Sequence, residues 1–396
     1  MQGGQDRFSL SFVVELPQMK KILSLFIIIL LFFLLKTNSY AIYDPHSVAN
    51  NEFGIHILFP EELNDASELV NSNGGDWGYI TIPIQSGDKD LVKWQNFMDD
   101  CKRKHLIPIL RLATQGDYFN TSSWDIPDYG DVMDFANFLN SLNWPTKNRY
   151  VIIYNEVNRN DEWGGSASPA QYADILDYAT KVFKDRSPDF FIISAGMDNA
   201  AANSDSAYNE YTFFREMENS DPGIFSKIDG MASHSYPNPG FSMPASYLTS
   251  QSIYSFNYEK NLLDYFAGKT LPVFITETGW DSSKISDSTQ SQYYQYAFSN
   301  VWNDPDIVAV TPFIFSASQG PFTNFSFINA GQKTQKYEAY KNLPKVKGEP
   351  QLTDYNPPPL KLNKVEENRT FKGIPFLKPI QLNTQTKTVL KWLLKI

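Results

Sequence analysis

Two glutamates, Glu156 and Glu277, stand where a carboxylate could do chemistry. Glu156 follows the run Arg149-Tyr150-Val151-Ile152-Ile153-Tyr154-Asn155, and Glu277 follows Leu271-Pro272-Val273-Phe274-Ile275-Thr276. An unbroken apolar run rich in β-branched and aromatic residues reads as a strand buried on both faces. Each run therefore delivers its carboxylate to the C-terminal end of a core strand. Two carboxylates facing each other at one mouth of a parallel barrel form the pair that cleavage of a glycosidic bond needs. One must be neutral to protonate the leaving oxygen, and the other ionised to attack the anomeric carbon.

Other residues gather around this pair. Near a strand end, side chains two apart share a face, so His234 and Tyr236 in Met231-Ala232-Ser233-His234-Ser235-Tyr236 can enter one pocket. Arg111 is a lone charge between Leu110 and Leu112, and a buried guanidinium requires a carboxylate partner. It is placed on the pocket floor beside Glu277. Arg111 and Tyr236 favour ionised Glu277, whose charge in turn keeps Glu156 protonated. Asn155 is positioned for the sugar 2-hydroxyl. Trp163 and Trp280, just beyond the two glutamates, are candidate sugar-stacking platforms. His56 on the first strand either lines the pocket or is buried with its nitrogens satisfied. Trp77, Trp94, Trp144 and Trp302 read as core.

The elements that must carry these residues alternate along the chain. Apolar runs at 53–58, 78–84, 107–113, 150–155, 190–196, 230–234, 273–276 and 307–315 read as strands. Amphipathic stretches at 61–71, 90–105, 131–142, 169–184, 208–219, 252–266, 291–302 and 335–342 read as helices. Ser168-Pro169 with Gln171 marks one helix start. Eight strand–helix units over about 300 residues predict a (β/α)8 TIM barrel. A doubly wound sheet would be favoured by a Gly-rich phosphate loop after the first strand, where Phe53-Gly54-Ile55-His56-Ile57-Leu58 has none.

Taken together, Asn155-Glu156 on the fourth strand, His234 with Tyr236 on the sixth and Glu277 in Thr276-Glu277-Thr278-Gly279-Trp280 on the seventh resemble the clan A retaining glycoside hydrolases. The resemblance covers residues of about 52 to 342. It implies that Glu156 is the acid/base and Glu277 the nucleophile. The sequence departs from the clan pattern in three places. Val157 stands where Pro commonly follows Asn-Glu, and the second strand lacks an Arg that Arg111 could replace. The Trp often found after strand eight is missing, with Phe315 as its substitute.

Composition and the ends bound the rest. A chain of 396 residues, 42% hydrophobic and 15% aromatic, can bury a sizeable core. Residues 1–41 read as a leader: Lys20-Lys21 precede the apolar run from Ile22 to Leu35, and Ser39-Tyr40-Ala41 offers a cleavage site, with Met19 as the expected start. An uncleaved anchor is the alternative. The protein is expected to be exported, either secreted or at the cell surface. Residues 42–344 form the catalytic barrel, and residues 345–396 a Pro-rich, basic extension whose end, 388–396, could touch an anionic surface or pack on the barrel. The net charge of −10 divides into +2 on the leader, −18 on residues 42–344 and +6 beyond. An acidic, aromatic-rich body excludes nucleic acid and suits an oligo- or polysaccharide. Cys101 is the single cysteine, and His46, His56, His105 and His234 have no metal-site spacing. No metal and no cofactor are expected. A non-catalytic carbohydrate-binding barrel and an envelope-glycan transglycosylase remain alternatives, since the same residues serve all three.

Overall fold

Each apolar run becomes a strand: β1 (Gly54–His56), β2 (Gly78–Gln85), β3 (Leu106–Ala113), β4 (Arg149–Ile152), β5 (Phe190–Ser194), β6 (Gly230–His234), β7 (Val273–Glu277) and β8 (Ile307–Val310). The structure is a computed structural model that describes residues 42–116, 124–318 and 320–359. The strands pair in chain order, all parallel. A parallel bridge between Phe53 and Val310 brings the last strand to the first, and Val310 N–H donates to the Glu52 carbonyl at 2.8 Å. This is the expected (β/α)8 barrel, nearly closed.

The amphipathic stretches form α1 (Leu63–Val70), α2 (Leu91–Arg103), α3 (Tyr129–Ser141), α4 (Pro169–Arg186), α5 (Glu210–Ser220), α6 (Ile224–Lys227), α7 (Ser255–Ala267), α8 (Asp287–Asn300) and α9 (Gln335–Lys341). The four-residue α6, entered through Gly223 at φ 84°, is too short to show a period and was not predicted. Starts are set by side-chain caps: Asp90 accepts from two N–H groups of α2, and Ser168 accepts from Gln171 ahead of α4, with Pro169 in its first turn. Two cores result. Inward side chains such as Tyr79, Ile109, Tyr150, Ile152, Phe191 and Phe274 fill the barrel, and a larger apolar layer lies between sheet and helices. Cys101 is buried and free within that layer. Trp94, Trp144 and Trp302 are core, as expected, and Trp77 belongs to the barrel interior.

The chain does not leave the barrel at Pro344. The buried Lys345 ammonium donates to the carbonyls of Tyr340, Lys341 and Leu343 and to Ser72 Oγ, at 2.9–3.1 Å. Gly348 N–H donates to the Asp76 carbonyl, Lys147 N–H to Gln351, and Thr353 Oγ1 to Trp144. Residues up to Pro357 thus cross the N-terminal ends of β2 and β4 and belong to the barrel unit. The leader, the tail beyond 359 and its basic end at 388–396 lie outside the described residues.

Candidate active site

Local backbone geometry, more than strand period, aims the site residues. Arg111 follows period two: it shares the inward face of β3 with Ile107 and Ile109. Glu156 shares the parity of the inward Tyr150 and Ile152 but is reached through a broken strand, and Glu277 departs from the alternation. Beyond β4 the chain turns through Tyr154 at φ 68° and Glu156 at φ 38°, a left-handed conformation that costs a non-glycine residue about 1–2 kcal/mol. The turn sends the Tyr154 ring edge-on against Trp163 and lets both Asn155 and Glu156 line the cleft. It is held by Glu156 N–H donating to the Gly196 carbonyl and Arg159 N–H to Glu156, both at 2.9 Å. On β7, Phe274 faces the axis and alternation would bring Thr276 in. A bulge intervenes, since Ser233 pairs with Ile275 but His234 pairs with Glu277, and Glu277 turns into the barrel.

Strand β6 supplies His234 and Tyr236 from its inner face. Its outer face is fixed by a buried polar network in which Ser233 Oγ donates to Glu259 at 2.9 Å and Ser235 Oγ accepts from Ser255 Oγ and Phe256 N–H. Arg111 Nη1 donates to Glu277 Oε1 at 2.5 Å and to Asn155 Oδ1 at 2.6 Å. Tyr236 donates its hydroxyl to Glu277 Oε2 at 3.0 Å. His234 Nδ1 lies 3.0 Å from Glu156 Oε1 and 3.8 Å from Glu277 Oε2. His56 Nδ1 is 3.6 Å from Glu277 Oε1. One oxygen of each glutamate and a His234 nitrogen lie within 4.8 Å of one another.

These surroundings push the two carboxyls apart. Burial raises Glu156, and Asp198 adds to the rise against the opposing pull of His234 and Arg159. Burial acts on Glu277 as well, but the charges of His234 and Arg111, with the Tyr236 hydrogen bond, outweigh it and take the group down to about 2. His234 is itself raised: burial would lower it, and Glu277 and Glu156 more than compensate. His56 is fully buried and lowered to about 3, through burial and Arg111, so it is uncharged near neutrality. Glu156, His234 and Glu277 are close enough to hold a metal ion. Arg111 already places a fixed cation on Glu277, which fits a charge-balanced carboxylate better than a vacant ligand set.

A cavity of about 330 Å³ opens over the pair. Arg111, Asn155, Glu156, Tyr236, Glu277 and Trp163 line it. Trp163 contributes little surface, because its ring is buried against Tyr154 and Tyr172 and its N–H donates to Gln171. Two expectations are corrected. Trp280 is 0% exposed, packs on Tyr293 and Tyr294 and donates to the Met243 carbonyl, so it is core and not a subsite. Phe315 is 3% exposed and packs on Tyr337, outside the cleft. Phe313, two residues earlier, lines the cleft together with Phe241, Phe322 and Phe325, and Trp124 adds an indole to the lining. His56 and His234 lie behind the carboxylates and do not form cleft surface. Sequence reasoning missed Arg159, Glu162 and Asp198. Arg159 bonds Asp161 at 2.7 Å and reaches Asp198 at 3.3 Å and Glu156 at 3.6 Å. The signal was present in Asn158-Arg159-Asn160-Asp161-Glu162, a cluster of charge within six residues of the strand-end glutamate.

No protein-family model matches the chain, and no curated protein matches its sequence. Solved structures do match. A family 39 glycoside hydrolase from the gut symbiont Bacteroides cellulosilyticus aligns with a TM-score of 0.53 at 16% identity, over 76% of this chain and 65% of the other. A family 39 beta-xylosidase from Caulobacter crescentus gives 0.53 at 17%, over 78% and 75%. A GH5_18 protein from Bifidobacterium longum subsp. infantis gives 0.52 at 12%, over 74% and 78%. The chain shares the (β/α)8 barrel fold of these glycoside hydrolases. The chain spans just under two thirds of the first of these proteins, and at such identities the likeness is one of architecture. Within it, this chain's own residues put two opposed carboxyls at the C-terminal mouth of the barrel, where such folds carry their chemistry.

Proposed function

We propose that this protein is an exported glycoside hydrolase that cleaves O-glycosidic bonds of a glycan with retention of configuration. The observation that carries the reading is the opposed setting of Glu156 and Glu277, one held up by burial and the other held down by Arg111, His234 and Tyr236, with their nearest oxygens within 4.8 Å. Retention needs carboxyl groups about 5–5.5 Å apart, too close for a water between them and the sugar. In the first step Glu277 attacks the anomeric carbon as Glu156 gives its proton to the departing oxygen, leaving a glycosyl ester on Glu277. In the second, Glu156 takes a proton from water, the hydroxide adds to the anomeric carbon, and the Glu277 carboxylate departs. Arg111 and Tyr236 stabilise Glu277 as leaving group. His234 Nδ1, 3.0 Å from Glu156, orients its carboxyl across the bond. Asn155 serves the sugar 2-hydroxyl, an interaction that strengthens in the transition state.

A GH5_18 variant from Bifidobacterium longum subsp. longum, aligned at a TM-score of 0.50 and 15% identity, is in complex with Manb1-4GlcNAc, which fits a carbohydrate in the equivalent barrel here. Export rests on the leader sequence, and surface contact on the leader or the basic tail. A screen of aryl glycosides and polysaccharides identifies the sugar. A 2-deoxy-2-fluoro dinitrophenyl glycoside of that sugar should then label Glu277, read by mass spectrometry of its peptide, and NMR of early product should show the starting anomeric configuration. Inverted product with no labelled peptide overturns the retaining mechanism. Transfer to an added glycan in preference to water identifies a transglycosylase, and binding without turnover a lectin-like barrel.

A further inference from the structure

The guanidinium of Arg159 stands beside the candidate acid and takes no part in the two steps above. It belongs to the turn that carries Glu156, since its N–H donates to the Glu156 carbonyl at 2.9 Å. Its Nε and Nη2 donate to the two oxygens of Asp161, at 3.0 and 2.7 Å, a fork-on-fork pair that fixes the plane of the group. Nη1 donates to Asp198 Oδ2 at 3.3 Å. Asp198 is itself pinned: its N–H donates to Asn158 Oδ1, its carbonyl accepts from Asn158 Nδ2, and its Oδ1 accepts from Ala200 N–H. Clamped from two sides, the cation keeps Nη1 3.6 Å from Glu156 Oε2, while the other oxygen of Glu156 faces His234 at 3.0 Å.

That distance suits a carboxyl that must work in both of its forms. A contact hydrogen bond from a guanidinium, at roughly 2.7–2.9 Å, would hold Glu156 ionised and leave the first step without its proton. At 3.6 Å the pull is weaker, and Asp161 and Asp198 offset part of it, so burial keeps the resting carboxyl raised. The other groups facing Glu156 are Asp198 beyond β5, His234 on β6, Glu277 on β7 with its partners Arg111 and Tyr236, and Glu162 in its own loop, which burial and Glu156 raise to about 8. Esterification removes the negative charge of Glu277 from this set, and Glu156, having given up its proton, carries a charge instead. A shift of about 0.7–0.9 Å then brings its Oε2 into a charge-assisted hydrogen bond with Arg159 Nη1. We infer that Arg159 is a positioning residue for the second step: it receives the carboxylate that Glu156 becomes, holds it ready to take a proton from water, and so sets how fast the glycosyl ester is cleared. This rests on the retaining reading above.

The test uses the full-length protein as wild type, Arg159→Met, Arg159→Lys and Asp161→Asn, with the dinitrophenyl glycoside of the sugar the enzyme cleaves and a natural glycoside of the same sugar. Dinitrophenol departs with little help, so turnover of its glycoside is limited by the second step. Arg159→Met should lower kcat on it about 10- to 100-fold, the size of one hydrogen bond to a charged group, with KM falling alongside and kcat/KM little changed. A stoichiometric burst of dinitrophenol should appear, and added azide, which attacks without a general base, should restore kcat. Arg159→Lys, which keeps the charge, should retain most of kcat. On the natural glycoside the alkaline limb of kcat/KM should move up in Arg159→Met, where Glu156 loses a cation, and down in Asp161→Asn, where that cation is less offset. A purely structural role would lower kcat and kcat/KM together, with no burst and no response to azide. That result, unmoved limbs, or a Lys variant as impaired as the Met variant overturns the inference. Wild type that cleaves no glycoside would defeat the glycosidase reading, and inverted product the retaining one, both distinct from a retaining enzyme whose second step does not depend on Arg159.

Discussion

The His234 imidazole lies so close to Gly196 that a Cβ built on the glycine would sit 2.2 Å from Cδ2 and 2.5 Å from Nε2. The same glycine's carbonyl accepts from Glu156 N–H, so one residue sets the backbone of the candidate acid and clears room for its partner ring. Gly196→Ala should therefore displace His234 without removing any group that contacts the sugar. A shift of about 1 Å in such a site costs roughly 100-fold. We expect kcat to fall by that order with KM little changed, measured by steady-state kinetics alongside a circular dichroism melt.

Removing each glutamate should fail in its own way. Glu277→Ala abolishes the covalent step, so turnover collapses on every substrate, and added azide yields a product of inverted configuration. Glu156→Ala removes the proton donor. Dinitrophenyl glycosides, which need little protonation to depart, should keep far more of their first step than natural glycosides. Identical responses of the two variants to leaving group and azide would refute the division of roles.

The pH profile of kcat/KM follows from the two shifts. Glu277 is lowered to about 2, so its protonation limits activity only in strong acid. Glu156 must be protonated, and its carboxyl is raised, so the alkaline limb marks loss of its proton as pH climbs through that raised value. Stability tracks Glu277 with the sign of a depressed carboxyl: its contribution is present above its ordinary value of 4.5 and is lost as pH falls toward 2. Arg111→Met removes one of the groups that hold Glu277 down and leaves His234 and Tyr236 to oppose burial. The acid limb should then move up, and the fold should lose about 3–5 kcal/mol, the usual result of breaking a buried pair, read by urea titration.

Lys345 touches no part of the cleft. Its substitution by Met leaves the Leu343 carbonyl without its donor, while the Tyr340 carbonyl keeps Leu343 N–H and the Lys341 carbonyl keeps Ser72 Oγ. A loss of about 1–3 kcal/mol in urea unfolding is expected, from one orphaned acceptor, with kcat unchanged. A fall in kcat as large as that of Gly196→Ala would contradict the separation of this face from the site.

The elements of the barrel could be read from the sequence because a (β/α)8 chain repeats one local pattern: an apolar run, a turn, an amphipathic helix. Burial on both faces makes the strands conspicuous, and all eight lie where the runs are. Arg111 could be read for the same reason, as a charge that interrupts such a run. Side-chain aim at the strand ends was harder to read. Period two does not survive the positive-φ turn at Tyr154 and Glu156 or the bulge opposite His234, and Asn155 and Glu277 reach the cleft against the alternation. Trp280 and Phe315 were misplaced on the same assumption, that a residue just past a strand end faces the pocket. The stretch 224–227 and the crossing segment 345–357 depend on contacts distant in sequence, which no local pattern announces.

The segment that crosses beneath β2 and β4 has a consequence for how the molecule meets a large substrate. Tyr43 hydrogen-bonds Asn148 and its hydroxyl accepts from Gln351 N–H, so both ends of the described barrel meet at the N-terminal ends of the strands. The cleft is at the opposite pole. The described chain therefore enters and leaves the barrel at the pole away from the carboxylates, and neither described end crosses the mouth above them.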